Sequence, residues 1–227
     1  PACPDWDVGA LVRHTGCVHR FVGSLVADRV SSRPDPETVH FQFPDSDAEA
    51  SAWIAWYRAG AAKLLATLDD TPPETLMWAW GEGQYAGFWW RRMAHETLVH
   101  AIDARQAAGR PFHIDPVVAI DTIDEFLENL RHSQSFLAED TPFTGSGMVH
   151  LHATDEALPD GAGEWMIAYL PAGYDFRHGH AKGDAAVRGT AAELMLLTYG
   201  RSTVDDGVEV LGDRATLDRW LAGARLH

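Results

Sequence analysis

The stretch Trp89–Asp103, with R-R-M-A-H-E-T-L-V-H at its centre, holds the residues of this chain best suited to chemistry. Successive helical side chains are about 100° apart, so Glu96 and His100, one turn apart, project side by side. A carboxylate and an imidazole placed in this way form half of a metal site. Trp89, Met93, Val99 and Ala104 fall on or near the same face, which turns the pair toward a bundle interior. The string resembles the zinc-protease pattern H-E-x-x-H, but its two histidines are five residues apart. His95 and His100 therefore diverge by about 140° and cannot clasp one ion. A catalytic ion takes three protein ligands and keeps a position open, so a third ligand is needed. The expected one is His14, in V-R-H-T-G-C-V-H-R-F-V, where Leu11, Thr15, Val18, Val22 and Leu25 form an apolar stripe. His14 falls inside that stripe, and His19 at its edge or in solvent. The three would make a His2Glu site across two helices. The competing reading makes each of them a hydrogen-bonded core residue with no ion.

The elements that position such a site have ample material. The chain has 227 residues, 46% of them hydrophobic, enough for one large or two small domains. No apolar run approaches the length of a membrane span, and P-A-C-P-D-W has no signal-peptide character, so a cytoplasmic location is expected. With 18 basic against 33 acidic residues the net charge is -15, which disfavours nucleic acid and anionic membrane as partners. Cys3 and Cys17 are too few for a disulfide framework, and reduced thiols are the expectation, a Cys3–Cys17 bridge staying open. Cys17, one turn from His14, reads first as a small apolar filler, with a ligand or reactive role as the alternative.

In chain order, Asp5 or Asp7 caps a helix running to about Val30. A second helix follows acidic capping residues near Asp45–Glu49 and ends before Thr71-Pro72-Pro73. The segment from Thr75 to Trp90 gathers Trp78, Trp80, Tyr85, Phe88, Trp89 and Trp90 around glycines. It either walls a substrate pocket or serves as a lid on the core. The ligand helix stops at Gly109-Arg110-Pro111, and a fourth helix begins at Pro116 and ends at Leu130 or Leu137. Four long helices with short connectors predict an up-down bundle over residues 1–140. From about Gly145 short alternating segments separated by Asp, Gly and Pro predict strands, then strand–helix pairs closing at Gly200 and near Ala224. These predict a small α+β domain over 146–227, helices on one face of its sheet, with the boundary in Glu139–Gly147. His150, His152, His178 and His180 alternate along two strands without a convincing further ligand, and read as solvent-facing.

Four segments carry a resemblance: C-P-D-W-D-V-x-x-L-V-x-H at Cys3–His14, W-A-W-G at Trp78–Gly81, G-F-W-W-R-R-M-A-H-E-T-L-V-H at Gly87–His100, and V-R-G-T-A-A-E-L-M-L-L-T-Y-G-R at Val187–Arg201. In this order they resemble the mycothiol-dependent maleylpyruvate isomerase family, within the broader DinB-like metal-binding bundles. The resemblance implies a DinB-like helical domain followed by a small domain similar to sterol carrier proteins, with His14, Glu96 and His100 as metal ligands. Members of the family generally carry a further helix before the Cys-Pro-x-Trp motif, and the natural protein is expected to extend upstream.

By the same resemblance the cosubstrate is mycothiol, a low-molecular-weight thiol. A divalent ion, zinc first among Zn, Ni, Co and Fe, would deprotonate the thiol for cis–trans isomerisation of, or S-transfer to, a small electrophile. The chain offers no Ser-His-Asp or Cys-His signature of its own. Arg188 and Arg201 are candidates for binding carboxylates of thiol or substrate, and Arg92 for orienting Glu96. Two other readings stay open: a metal-dependent hydrolase activating water, and a non-catalytic ligand-binding or regulatory protein.

Overall fold

The computed structural model of the chain describes Cys3 and residues 5–35, 39–132, 146–170 and 173–224. Contacts divide it into two compact units, Cys3–Phe112 and His113–His227. The first is helical and the second α+β, the fold class expected from the sequence.

The first unit holds α1 (Val8–Asp28), α2 (Ala50–Asp69) and α3 (Ala86–Ala107). Asp7 starts α1 by accepting a hydrogen bond from the Ala10 amide at 2.7 Å, a cap that stabilises by about 1 kcal/mol. The acidic residues before α2 do not act in this way, since Glu49 makes no side-chain cap. α1 packs against both α2 and α3. Gly16 lets the α2 helix approach, because a Cβ there would lie 2.2 Å from the ring of Trp56. Arg20 spans the same junction, its guanidinium 3.9 Å from the Trp56 ring centroid and donating to the Trp56 carbonyl. Below it Val22, Leu25, Val26, Leu64, Leu68, Trp89 and Met93 form the core. Of the two roles open to the aromatic segment, the contacts support the core. Trp78, Trp80, Phe88 and Trp90 all pack against that cluster, and Trp89 Nε1 donates to the Trp78 carbonyl at 2.9 Å.

The second unit begins with α4 (Pro116–Leu130), capped by Asp115 with Pro116 in its first turn. The strands β1 (Met148–Ala153), β2 (Glu164–Leu170), β3 (Gly173–His178), β4 (Ala185–Gly189) and β5 (Glu209–Gly212) form one sheet in the order β3-β2-β1-β4-β5. The β1–β4 pair is parallel, the others antiparallel. α5 (Ala191–Thr198) opens with a Thr190–Glu193 capping box, and α6 (Arg214–Gly223) closes the unit. Val149, Leu151, Trp165, Ile167 and Val187 are fully or almost fully buried on one face of the sheet. Trp165 Nε1 donates to Asp124 of α4 at 2.5 Å, and Tyr174 donates to the Leu127 carbonyl. These bonds, and its packing on α5, attach α4 to the sheet. The sequence pattern places the fourth helix in the bundle; the contacts instead group α4 with the sheet, and the expected boundary in Glu139–Gly147, like the alternative end of α4 at Leu137, lies for the most part outside the described residues.

Candidate metal centre

α1 and α3 bring His14, Glu96 and His100 together, one ligand atom from each lying within 4.8 Å of the others. Glu96 Oε1 is the meeting point, 3.2 Å from His14 Nε2 and 3.1 Å from His100 Nε2. The second atoms of Glu96 and His100 are engaged elsewhere. Arg92, one turn earlier on α3, donates to Glu96 Oε2 at 2.8 Å. His100 Nδ1 lies 2.9 Å from Asp103 Oδ2, which sets the tautomer that turns a lone pair on Nε2 inward. The indole of Trp6 covers both imidazoles, with ring centroids 4.7 Å from His14 and 5.9 Å from His100.

Electrostatics favour a cation at this point. Burial works against ionisation of Glu96, yet hydrogen bonds from His100 and His14 and the charge of Arg92 hold its carboxyl well below the usual carboxylate range. Burial likewise opposes charge on His100. Hydrogen bonds to Asp103 and Glu96, together with their charges, outweigh it and push the imidazole up to about 9. One proton therefore sits where a metal ion would, and an ion must displace it. The donor set of two imidazoles and one carboxylate, with outer partners already placed, suits a first-row divalent ion with an open position.

His19 is a correction. Expected at the edge of the stripe, it is buried at 2% exposure, its Nε2 2.9 Å from the Thr97 hydroxyl. α1 is covered by two helices, so its buried arc is wider than the stripe and runs through Leu11, Thr15, His19, Val22 and Val26. His14, expected inside the stripe, retains 36% side-chain exposure at the rim of that arc. His95 is buried and outside the metal-ligand group. Neither Cys3 nor Cys17 is in a disulfide; Cys3 Sγ lies 4.0 Å from Asp103 Oδ2, and burial pushes the Cys17 thiol up, away from thiolate.

Arg92 lies in this group, whereas Arg188 and Arg201 belong to the second unit. Arg188 pairs with Glu209 at 3.1 Å, and Arg201 donates to the Tyr199 carbonyl at 2.8 Å. The sequence reading did not single out Asp103 or Trp6. Asp103 was detectable as the acid one turn beyond His100 on the same face; Trp6 offered no signal beyond its place in a motif.

The histidines of the sheet require a second correction. His150 is buried at 5% exposure rather than solvent-facing, and with His152, Glu164 and His180 it forms another group with metal-ligand spacing. His178 pairs instead with Asp124, at 3.4 Å.

Comparison with known proteins gives two family matches. Residues 1–105 match the mycothiol maleylpyruvate isomerase N-terminal domain, and residues 117–219 match the C-terminal domain of the same family. No curated protein matches the chain significantly. Among solved structures, the chain is similar to a conserved hypothetical protein of Thermus thermophilus described as a candidate sterol carrier protein. That likeness has 16% identity and a TM-score of 0.31, covering 44% of this chain and 76% of the other. A UbiJ-SCP2 ubiquinone synthesis protein shows 15% identity and a TM-score of 0.29, over 50% of this chain and 93% of that one. The stereoselective inverting sec-alkylsulfatase Pisa1 from Pseudomonas sp. shows 15% identity and a TM-score of 0.35, over 94% of this chain and 29% of its own.

Proposed function

The chain belongs to the mycothiol maleylpyruvate isomerase family, and from that membership we propose that it is an enzyme using a low-molecular-weight thiol, mycothiol, on a small electrophilic substrate. The observation that carries the reading is the convergence of His14 Nε2, Glu96 Oε1 and His100 Nε2, with Glu96 Oε2 and His100 Nδ1 already partnered by Arg92 and Asp103. These three residues would hold a divalent ion, zinc being our choice, and a fourth position would stay open. Bound there, the ion supplies the Lewis acidity that keeps a thiol deprotonated at neutral pH.

The protein's own groups bind and orient. Arg92 fixes Glu96 and leaves one carboxylate oxygen free, while Asp103 fixes the His100 ring. Trp6 shields the imidazoles on one side, and the part-exposed His14 marks an approach from solvent. Burial pushes the Cys17 thiol away from thiolate, and in this reading the attacking sulfur comes from the cosubstrate. Its addition to a conjugated carbon–carbon double bond turns that bond into a single bond. Rotation and expulsion of the same thiol then give the trans isomer with the thiol regenerated. Attack of the same thiolate with displacement of a leaving group, or with opening of a ring, would instead give S-transfer. Arg188 and Arg201 are proposed to bind the carboxylates of thiol or substrate, where a guanidinium bonds both oxygens.

The test is isomerisation of maleylpyruvate by the purified chain, with and without mycothiol. We expect turnover to require thiol and to disappear in His14→Ala and His100→Ala, with the ion at this site lost. Turnover at full rate without thiol would turn the reading into a thiol-independent isomerase. Full activity in both variants would dismiss the site.

A further inference from the structure

A second group of ligand atoms is built into the sheet of the other unit. His150 and His152 alternate along β1 and so share a face. The register places Glu164, the first residue of β2, directly opposite His152. His180 follows β3 just beyond Gly179, whose backbone has φ of 126°, a conformation that glycine adopts without strain. All four groups offer a ligand atom within 4.8 Å of one another.

The geometry converges on one atom. Glu164 Oε2 lies 2.9 Å from His150 Nε2, 3.5 Å from His152 Nδ1 and 2.6 Å from His180 Nδ1. The imidazoles stand edge to face, with centroids 4.9, 5.7 and 5.8 Å apart. As a purely hydrogen-bonded cluster this is poorly matched, because one carboxylate oxygen offers about two lone pairs to three ring nitrogens. As a coordination shell it is well matched. Tetrahedral ligands about 2.0–2.1 Å from a zinc-sized ion are about 3.3 Å from one another, and the three oxygen–nitrogen separations bracket that edge. Charge agrees as well, since Arg188, the ladder partner of His152 on β4, is already paired with Glu209.

We infer that His150, His152, Glu164 and His180 form a second, structural metal site for a first-row divalent ion, separate from the His14–Glu96–His100 group. Three nitrogens and one oxygen favour zinc, nickel or cobalt over calcium or magnesium, which prefer all-oxygen shells. Four protein ligands close the shell, so the ion acts as a clip and not as a catalyst. It ties together β1, the start of β2 and the turn after β3. His180, at 70% side-chain exposure, gives solvent access to the site. The inference does not depend on the proposed enzyme activity.

The test is the zinc stoichiometry of the untagged full chain after chelation, titrated by calorimetry and checked by metal analysis following dialysis. The expected counts are about two ions in the native chain, one in the His152→Ala/His180→Ala double variant and one in His14→Ala/His100→Ala. The single variant His180→Ala removes an exposed side chain and serves if the double variant fails to fold; it is expected to weaken one of the two zinc equivalents by at least tenfold. An unchanged stoichiometry and affinity in His180→Ala, or a second equivalent bound no better than calcium, would overturn the site. Loss of zinc in the first-site variants leaves the second count untouched, so the two assignments fail independently.

Discussion

The sharpest consequence of the first site is its competition with protons. Metal-free His100 titrates at about 9, so at pH 7 it is about 99% protonated, and an ion using Nε2 must expel that proton. Glu96 is already ionised and contributes none. Raising the pH from 6 to 8 should therefore strengthen zinc binding by at least about tenfold per unit, about 100-fold in all, equivalent to about 3 kcal/mol. The assay is calorimetry in chelator-buffered zinc, using the His152→Ala/His180→Ala chain so that the α1–α3 site alone is read. Repeating it in buffers of different ionisation enthalpy counts the protons released, with at least about one expected. Metal-free stability should follow the opposite trend. The folded pKa of His100 is raised above its unfolded value of about 6.5, so its contribution is complete below 6.5 and lost as pH rises toward 9. The difference amounts to about 3 kcal/mol, shared with Glu96 because the two titrate together. A zinc affinity flat between pH 6 and 8, or binding without proton release, would refute the assignment of His100 Nε2 as a ligand.

Three further outcomes follow from the same structure. Asp103→Asn should reduce zinc affinity at the α1–α3 site about 10–100-fold while leaving the fold intact, since it removes the partner that orients His100; unchanged affinity in a competition titration would show that the contact is incidental. Gly16→Ala adds a helix-favouring methyl worth up to about 1 kcal/mol, but sets it 2.2 Å from the rigid Trp56 ring, so overpacking of about 1–3 kcal/mol should win and lower the urea midpoint. Thr190→Ala removes the hydroxyl half of the α5 capping box, leaving Glu193 to accept from the backbone amide at 190, and should cost about 1 kcal/mol, read from the same denaturation curve.

How much of this was legible in the sequence depends on the range over which each interaction acts. Helix faces are local, so the Glu96–His100 pair could be read from a spacing of four, and the cap of α1 could be narrowed to Asp5 or Asp7, of which the structure uses Asp7. The His14 pairing crosses 82 residues and came from the need for a third ligand. Misplacing His19 shows the limit of a stripe argument: periodicity finds an apolar centre but not how many neighbours cover the helix. The sheet histidines show a different limit. His150 and His152 were visible as an alternating pair, but Glu164 joins them only through an antiparallel register, and no spacing in the chain encodes which residue of β2 lies opposite which residue of β1.

Both groups follow from one rule of polar satisfaction, applied to different surroundings. In the α1–α3 site the outer atoms are taken, Glu96 Oε2 by Arg92 and His100 Nδ1 by Asp103, which leaves three inner atoms facing one another on a half-covered helix junction. Three ligands and an exposed rim leave room for a reacting partner. In the sheet the pleat and the Gly179 turn bring a fourth ligand over the same point, and the shell closes. On the two proposed assignments, ligand count and exposure divide the labour between the sites: an ion in the three-ligand group would keep a position for a thiol, and one in the four-ligand group would only hold strands. Exchanging those properties is a direct way to probe the logic. Removing His180 should open the sheet site to exogenous imidazole, measured as restored zinc affinity, whereas imidazole at the α1–α3 site should compete with the thiol and inhibit turnover.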